Sequence, residues 1–315
     1  MANSYVLDLE TGLGQFADIG DTSSLSITGD MTIEVWIKLE STPNSGSAFG
    51  IIAKDNGGSA RSYLLQISNP AGTPRFQASA LESTNVDEYY WTYSISTATW
   101  YHLAVTITPG NASATTFELY VNATSQGNGT AVSAGNIAAI SDTTARFAVG
   151  ALSDGSYSFD GLIDEVRIWN AIRTSSEIST NYQRELAGNE TNLQGYWQFE
   201  NNYLDTTAND NDLTPSGTPV FSTDVPFTDN TTTSTSITTS STSTTSTSSS
   251  TSTSTTTTTS TSTSRTTSTS TTSTSSSTST TTSTTTTLTS TSTTTTTSTS
   301  TSTTTTLDYR FVVER

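Results

Sequence analysis

Residues 159–178 read FDGLIDEVRIWNAIRTSSEI, and this stretch decides the fold. Its part GLIDEVRIW (161–169) is a run of strand length rich in β-branched and other apolar residues. Thr174 stands three residues before Glu177, which is the spacing of a capping box at a helix N-terminus. Gly188 is a suitable C-terminal stop for that helix. The stretch therefore predicts one strand followed by one short helix.

The chain on both sides of this stretch alternates apolar and polar residues with a period of two, which is typical of strands with one buried face. The segments are MTIEVWIKL (31–39), WYHLAVTI (100–107), FELYVN (117–122), RFAVGAL (146–152), GYWQFE (195–200) and, alternating less cleanly, RSYLLQI (61–67). Turn-forming stretches such as DNGG and NPAGTP separate them. Many short strands at this spacing predict an all-β fold, an antiparallel two-sheet sandwich.

The chain of 315 residues joins two compositions. Residues 1–228 hold 25 acidic and 8 basic residues and the remainder is balanced, so the formal charge of −17 belongs to this front part. A segment of this length is sufficient for one large all-β domain with its own core. Its acidity would repel phosphates, which argues against nucleic acid as a partner and leaves glycans, cations and proteins. Without cysteine, stability must come from packing or from a metal.

The order of the segments resembles a known family. MTIEVWIKL, WYHLAVTI, FELYVN, FDGLIDEVRIWNAIRTSSEI and LQGYWQFENNYLDTTANDNDL follow one another as in the laminin-G-like, concanavalin A-like jelly-roll domains. The resemblance covers roughly residues 5–227. It implies a jelly-roll sandwich, roles in glycan or protein binding, and often one structural Ca²⁺.

Asp164 is the residue that most needs a partner. On a strictly alternating strand it shares a side with Leu162 and Val166, so its carboxylate points inward if that side faces the core. A buried carboxylate is unfavourable unless it is paired or bound to a metal. The resemblance implies Ca²⁺ with oxygen ligands, to which Asp8 and Asp160 would contribute. The alternative is that Asp164 caps backbone N–H groups or pairs with an arginine.

Trp36, Tyr90, Trp91 and Tyr93 are candidate ligand-binding residues. Aromatic faces suit the apolar faces of sugars, so these rings are expected to form a stacking platform. The alternative is a second apolar layer or a subunit contact.

Catalytic patterns are scarce in this sequence. The absence of cysteine excludes cysteine catalysis, and the single histidine, His102, reads as a packed strand residue. Glycosidases of the resembled fold use paired carboxylates in an E-x-D-x-E pattern on one strand. The segments VDEYYW and IDEVRIW offer only adjacent acids, which point to opposite faces. We therefore expect no enzyme, with a polysaccharide-active enzyme as a remaining alternative.

Both kinds of glycosylation are predicted. The candidates for N-glycosylation are the sequon residues Asn111, Asn122, Asn128, Asn189 and Asn230. Residues 229–306 form a Ser/Thr-rich segment that cannot build a core, because 231–306 is Ser or Thr at all but three positions. Its hydroxyl density predicts O-glycosylation of 231–306 into an extended stalk, with an unmodified linker as the alternative.

The last segment, LDYRFVVER (307–315), alternates as a strand would. It predicts either the start of a further domain or a donor strand that completes a neighbouring subunit's sheet and so builds filaments.

The leading interpretation is an extracellular, non-enzymatic surface or adhesion protein that binds glycans or surface proteins. The alternative is a subunit of a glycan-coated extracellular fibre that self-associates through residues 307–315. No stretch approaches the 18 apolar residues of a membrane-spanning helix. The start lacks the basic and apolar regions of a signal peptide, so we expect neither a membrane span nor a signal peptide in this chain.

Overall fold

The computed structural model describes residues 3–110 and 115–228. Their strands form two antiparallel sheets of eight strands each, sheet A and sheet B, which pack face to face. In spatial order, sheet A contains β10 (Thr124–Asn128), β9 (Thr116–Val121), β8 (Trp100–Thr108), β3 (Met31–Leu39), β13 (Gly161–Trp169), β1 (Val6–Leu9) and β16 (Val220–Ser222), with β14 (Leu193–Trp197) paired to the second half of β13. Sheet B contains β11 (Thr130–Ala134), β7 (Asn85–Trp91), β6 (Arg75–Glu82), β5 (Arg61–Asn69), β4 (Ser47–Asp55), β12 (Phe147–Val149), β2 (Phe16–Ile19) and β15 (Thr214–Ser216). The predicted all-β sandwich with one short helix is confirmed.

The core lies between the two sheets and is filled by alternate residues of their strands. Ile33 and Val35 of β3 face Leu65 and Ile67 of β5, and all four side chains are fully buried. Each such burial stabilises the fold by about 1.5–3 kcal/mol. The alternation predicted from the sequence is therefore the alternation that the core uses.

The outer face of sheet A is covered by the chain that follows β13. This segment contains the helix α1 (Ser175–Asn181), whose Ile178 packs on Ala104 and Tyr120. The ring of Tyr182, directly after the helix, stacks on that of Trp36 with 5.9 Å between centroids. The part of this face formed by β3, β8 and β9 is therefore covered.

Helix α1 begins as the sequence predicts and ends earlier. The Thr174 hydroxyl accepts from the Glu177 N–H and the Glu177 carboxylate accepts from the Thr174 N–H, so the capping box is present. The helix stops at Asn181, seven residues before Gly188. Ser, Thr and Asn are weak helix formers, and here Thr180 and Asn181 bond through their side chains to backbone carbonyls of the helix.

Strand β13 contains a bulge that the sequence did not predict. Glu165 adopts a φ of 50°, and the pairing with β3 shifts by one residue between Asp164 and Arg167. An extra residue of this kind moves the following side chains to the opposite face. Ile163 and Val166 therefore both face the core, and Asp164 lies on the outer side of sheet A. The expected sharing of one side by Asp164 and Val166 is wrong for this reason.

Several charged side chains are buried at structural positions. Asp205 accepts hydrogen bonds from the backbone N–H groups of Tyr196, Thr207 and Asn211 at 2.9–3.0 Å. Lys54 donates to the carbonyls of Thr143 and Ala145. Buried charges that are satisfied in this way fix loops onto the sandwich, which accounts for part of the acidic composition.

Candidate functional site

The outer face of sheet B carries a cavity of about 400 Å³ above strands β4 to β7. The alternation that sends Leu65 and Phe76 into the core sends Gln66 and Gln77 outward, and these two residues are register partners. Glu88 reaches the same cavity from β7. We call this cavity the sheet B groove; the six residues of its lining that matter below are Arg61, Gln66, Arg75, Gln77, Glu88 and Tyr157.

The polar groups of the groove are linked to one another. The guanidinium of Arg75 lies 3.8 Å from the ring centroid of Tyr90, and its Nε donates to Ser68 Oγ at 3.2 Å. The Ser68 hydroxyl donates to Gln77 Oε1 at 2.5 Å, and Gln77 Nε2 donates to Glu88. Such a network holds planar donors and acceptors in fixed positions.

Tyr157 forms one wall of the groove, with an exposed ring and an unusual backbone conformation. Its side chain is 48% exposed, and its φ is 55°, a conformation that is rare for a bulky residue. The Tyr157 carbonyl accepts from the Gly50 N–H at 2.7 Å, and nearby Ser156 accepts from Leu152 N–H at 2.9 Å. The backbone is thus fixed on β4 while the ring faces solvent. Strained and fixed conformations of this kind are concentrated at functional sites.

Two further cavities adjoin the groove. The second cavity, of about 530 Å³, shares Arg61 with it. The third cavity, of about 520 Å³, shares Ser47, Ala48 and Tyr157 with it. Arg61 itself is fixed, because its Nε donates to both carboxylate oxygens of buried Asp55, at 2.8 and 3.0 Å.

The four aromatic residues predicted as a platform do not lie together. Trp36 is 4% exposed under Tyr182 on sheet A, and Trp91 is 5% exposed, with its Nε1 donating to the Gly127 carbonyl. Tyr93 follows β7 and packs against the core. Tyr90 is partly exposed beside the groove, under Arg75. The stacking role of these rings stays a prediction, to which Tyr157 adds a ring that sequence reasoning missed.

Asp164 is fully buried and its partner is Asn3 near the N-terminus. Asn3 Nδ2 donates to Asp164 Oδ2 at 2.8 Å, while the Oδ1 atoms of both residues are buried without a hydrogen-bond partner. Burial raises the pKa of Asp164 well above its usual value, and the charges of Glu165 and Glu200 add to the rise. The two unpartnered oxygens are ligands of the type that a hard cation prefers.

Asp8 and Asp160 belong to a different group of acids. Carboxylate oxygens of Asp8, Glu10 and Glu40 lie within 4.8 Å of one another. Burial raises the pKa of Asp8, and repulsion from Glu10 and Asp160 raises it further. Asp160 and Asp164 are separated by about 13 Å along the strand direction at roughly 3.3 Å per residue. The three residues predicted as one ligand set thus fall at two places.

Comparisons with known proteins agree with this architecture. A family model described as the concanavalin A-like lectin/glucanases superfamily matches residues 11–179. The chain belongs to this superfamily. No curated protein sequence matches the chain significantly.

Solved structures similar to this lectin-superfamily chain have low sequence identity. A candidate carbohydrate-binding protein from Bacteroides ovatus has a TM-score of 0.53 at 18% identity, covering 72% of this chain and 62% of its own length. The chain therefore spans less than two thirds of that protein. A native heptameric SAP-like pentraxin from Limulus polyphemus has a TM-score of 0.46 at 12% identity, covering 70% of this chain and 95% of its own. The CBM40 of the Ruminococcus gnavus IT-sialidase has a TM-score of 0.38 at 11% identity, covering 57% of this chain and 98% of its own.

Under α1, the lectin-superfamily domain holds a buried charged cluster that sequence reasoning missed. Arg167 Nη2 donates to Glu165 at 2.5 Å and Arg167 Nη1 lies 3.7 Å from Glu34. His102 Nε2 lies 3.4 Å from Glu34, and Trp169 Nε1 donates to Glu34 at 2.7 Å. The available sequence signal was a charged residue, Glu34 or Arg167, within a strand of mainly apolar residues. Because the helical segment seals this cluster, we assign it to stability.

The predicted glycosylation sites are exposed where the structure describes them. Asn128 ends β10 and Asn189 lies in a loop, and both are exposed. Asn122 is also exposed, although its Oδ1 accepts from the His102 N–H. Asn111 and Asn230 lie outside the described residues, as do the predicted stalk and residues 307–315. In the part of the chain that the structure describes, no helix is long and apolar enough to cross a membrane.

Proposed function

We propose that this chain is an extracellular, non-catalytic glycan-binding protein and that its binding site is the sheet B groove. The observation that carries the proposal is the set of planar polar side chains that line the groove beside the ring of Tyr157. It consists of Gln66 and the hydrogen-bonded side chains of Arg75, Gln77 and Glu88, with Gln77 largely buried at its base. Sugars present vicinal hydroxyls on their edges and apolar C–H groups on their faces. Amide and guanidinium groups match the former and an aromatic ring the latter.

The membership of a superfamily that contains lectins and glucanases supports this choice of ligand class. The similar Bacteroides ovatus structure, named as a candidate carbohydrate-binding protein, is consistent with it. The alternative surface, the outer face of sheet A, is covered by α1 and Tyr182. The part of sheet A beneath these residues is therefore not free for a ligand, whereas the groove on sheet B is open.

Binding rather than hydrolysis is favoured by the carboxylates of the groove. Glycoside hydrolysis ordinarily needs two carboxyl groups that flank the scissile bond. Among the described residues that line the groove, Glu88 is the one carboxylate, and it accepts from Gln77. One acid engaged in a structural hydrogen bond supplies no acid–base pair.

The end of the described domain lies away from the groove. Phe227 packs on Trp36 with 5.9 Å between ring centroids, on the outer side of sheet A. Asp224 pairs there with Lys38. Both contacts lie on the sheet opposite the groove. We propose that the tract is an O-glycosylated spacer.

A structural Ca²⁺ at Asn3 and Asp164 is part of the proposal. Calcium binds oxygen ligands, and the two unpartnered Oδ1 atoms supply them, with Glu200 close enough to affect Asp164 electrostatically. The ion would neutralise Asp164 and hold the N-terminal segment against β13. It would stabilise the domain and is assigned no part in ligand contact.

The proposal is tested on a glycan array with the full chain and two variants. Replacing both Gln66 and Gln77 with Ala removes several hydrogen bonds, each worth about 0.5–1.5 kcal/mol, so we expect affinity to fall about 10- to 100-fold. The matched control is Gln183→Ala, an exposed glutamine after α1. Binding that the double variant retains in full would place the site elsewhere, and a chain that binds no glycan at all would refute the function.

A further inference from the structure

The groove and the two cavities that adjoin it share lining residues, and we call the three together the depression. Arg61 is common to the groove and the second cavity, whereas Tyr157 is common to the groove and the third. The two shared walls involve different residues, so the order is second cavity, groove, third cavity. The groove therefore has a further cavity beyond each of these two walls.

The charges along this depression are balanced. Arg61 is paired with buried Asp55, and Arg75 is linked through Gln77 to Glu88. The remaining lining of the outer cavities is mainly small hydroxyl side chains, such as Thr84 in the second and Thr42 in the third. A surface with many donors and acceptors and little net charge suits a neutral polyhydroxyl chain better than a charged one.

Tyr157 is placed to contact such a chain where it passes between cavities. Its ring is exposed on the wall between the groove and the third cavity, and its backbone is fixed by the bond to Gly50. An aromatic side chain has only two rotatable bonds, so holding its ring against a ligand costs little conformational entropy.

We infer that the depression binds an internal segment of a neutral, unbranched polysaccharide, with Tyr157 as a stacking residue between two sugar subsites. The inference rests on the proposed glycan-binding function and adds the ligand class to it. A site of this form reads the middle of a chain and needs no chain end. Affinity should therefore grow with ligand length until all three cavities are filled.

The test begins with affinity electrophoresis of the full chain in gels containing barley β-glucan, birchwood xylan, linear arabinan or galactomannan, with polygalacturonate as the charged comparison. Calorimetry then uses oligosaccharides of the retained polymer, from about two to about eight units. We expect retention by a neutral polymer and a rise in affinity of at least about tenfold across the series.

Variants then identify the residues that make affinity depend on oligosaccharide length. Tyr157→Asn removes the ring and keeps a residue that tolerates positive φ. It should weaken the longest oligosaccharide about tenfold and the shortest by less than about threefold, whereas Tyr157→Phe should bind normally. Thr84→Trp and Thr42→Trp, which obstruct the outer cavities, should each lower the affinity of long ligands only. The control is Tyr5→Ala, which replaces an exposed tyrosine directly before β1.

The outcomes separate the two proposals. Affinity that does not change with ligand length, or retention by polygalacturonate alone, would overturn the inference about the ligand. The proposed function would still stand if the unchanged chain binds the glycan array and the Gln66 and Gln77 double variant does not. No binding to the polymers and none on the array would overturn both.

Discussion

His102 is held neutral by its surroundings. The side chain is 1% exposed, and its ring lies 5.4 Å from that of Trp36 and 5.6 Å from that of Tyr182. Burial lowers the pKa of His102 below its usual 6.5; Glu34 opposes this and Arg167 reinforces it. Burial alone would raise the pKa of Glu34, but His102, Arg167 and Trp169 outweigh it and lower that pKa.

These shifts predict loss of stability in acid. A histidine whose folded pKa is below 6.5 contributes stability above pH 6.5, which is lost as pH falls toward the folded pKa, because the unfolded chain then binds more protons. Glu34 adds a loss below about pH 4.5. Since His102 is the only histidine, its imidazole proton signals in NMR report the titration directly. We expect a midpoint below 6.5 and a smaller pH dependence of the unfolding free energy between about pH 5 and 7 in His102→Gln.

A midpoint at or above 6.5 would contradict the environment described for His102. So would urea unfolding curves whose pH dependence is identical in the two proteins. The NMR reading remains informative even if the variant folds poorly.

Among the secondary-structure elements, the bulge in β13 determines on which side of sheet A the Asp164 side chain lies. Because Glu165 is an extra residue in the strand, Asp164 lies on the outer side of sheet A, where it accepts a hydrogen bond from Asn3. Val166 lies on the core side. The site thus joins the N-terminal segment to a central strand of sheet A. Its unpartnered oxygens are the reason to test for a cation there, and Asp8 Oδ1, also buried without a partner, is the reason to compare the group formed with Glu10 and Glu40.

Calcium should therefore stabilise the folded domain. At one hundred times its Kd, an ion that binds only the folded state adds about 2.7 kcal/mol, which corresponds to about 5–10 °C in Tm for a domain of this size. We expect this shift when Ca²⁺ is added to chelator-treated full chain, measured by calorimetry. Asp164→Asn should lose the shift without losing basal stability, since a buried amide is less costly than a buried carboxylate.

Asp8→Asn is the matched control for that measurement. It removes one carboxylate from the group formed with Glu10 and Glu40. Loss of the shift in Asp8→Asn and not in Asp164→Asn would move the ion to that group. No shift in the unchanged chain would show that Asp164 is satisfied by protein groups.

The elements also show where sequence reasoning stops. Alternation assigned the faces of β3 and β8 correctly, because both strands are regular and one face of each is core. It failed on β13 because Glu165 carries no sequence signal for a positive φ, such as glycine or asparagine. The contact of Asn3 with Asp164 spans 161 positions, so no local pattern reveals it.

In the described domain as a whole, the outer faces of sheet A and sheet B differ in how far they are covered. Sheet A is covered around Trp36 by α1, Tyr182 and Phe227, close to the end of the described chain. Sheet B is left open above Gln66 and Gln77. The outward position of these glutamines is readable from alternation, but which sheet stays open depends on where the segment after β13 folds. The sandwich could therefore be predicted from the sequence, whereas the position of the groove could not.

The central claim is that glycan contacts the outer face of sheet B. The most direct measurement is hydrogen exchange, read by mass spectrometry, of the full chain with and without the polysaccharide retained in the gel panel. We expect added protection in peptides covering β5, β6 and β7 and the loop of Tyr157, with β3, β8 and α1 unchanged. Protection confined to sheet A or to the N-terminal segment would contradict the account.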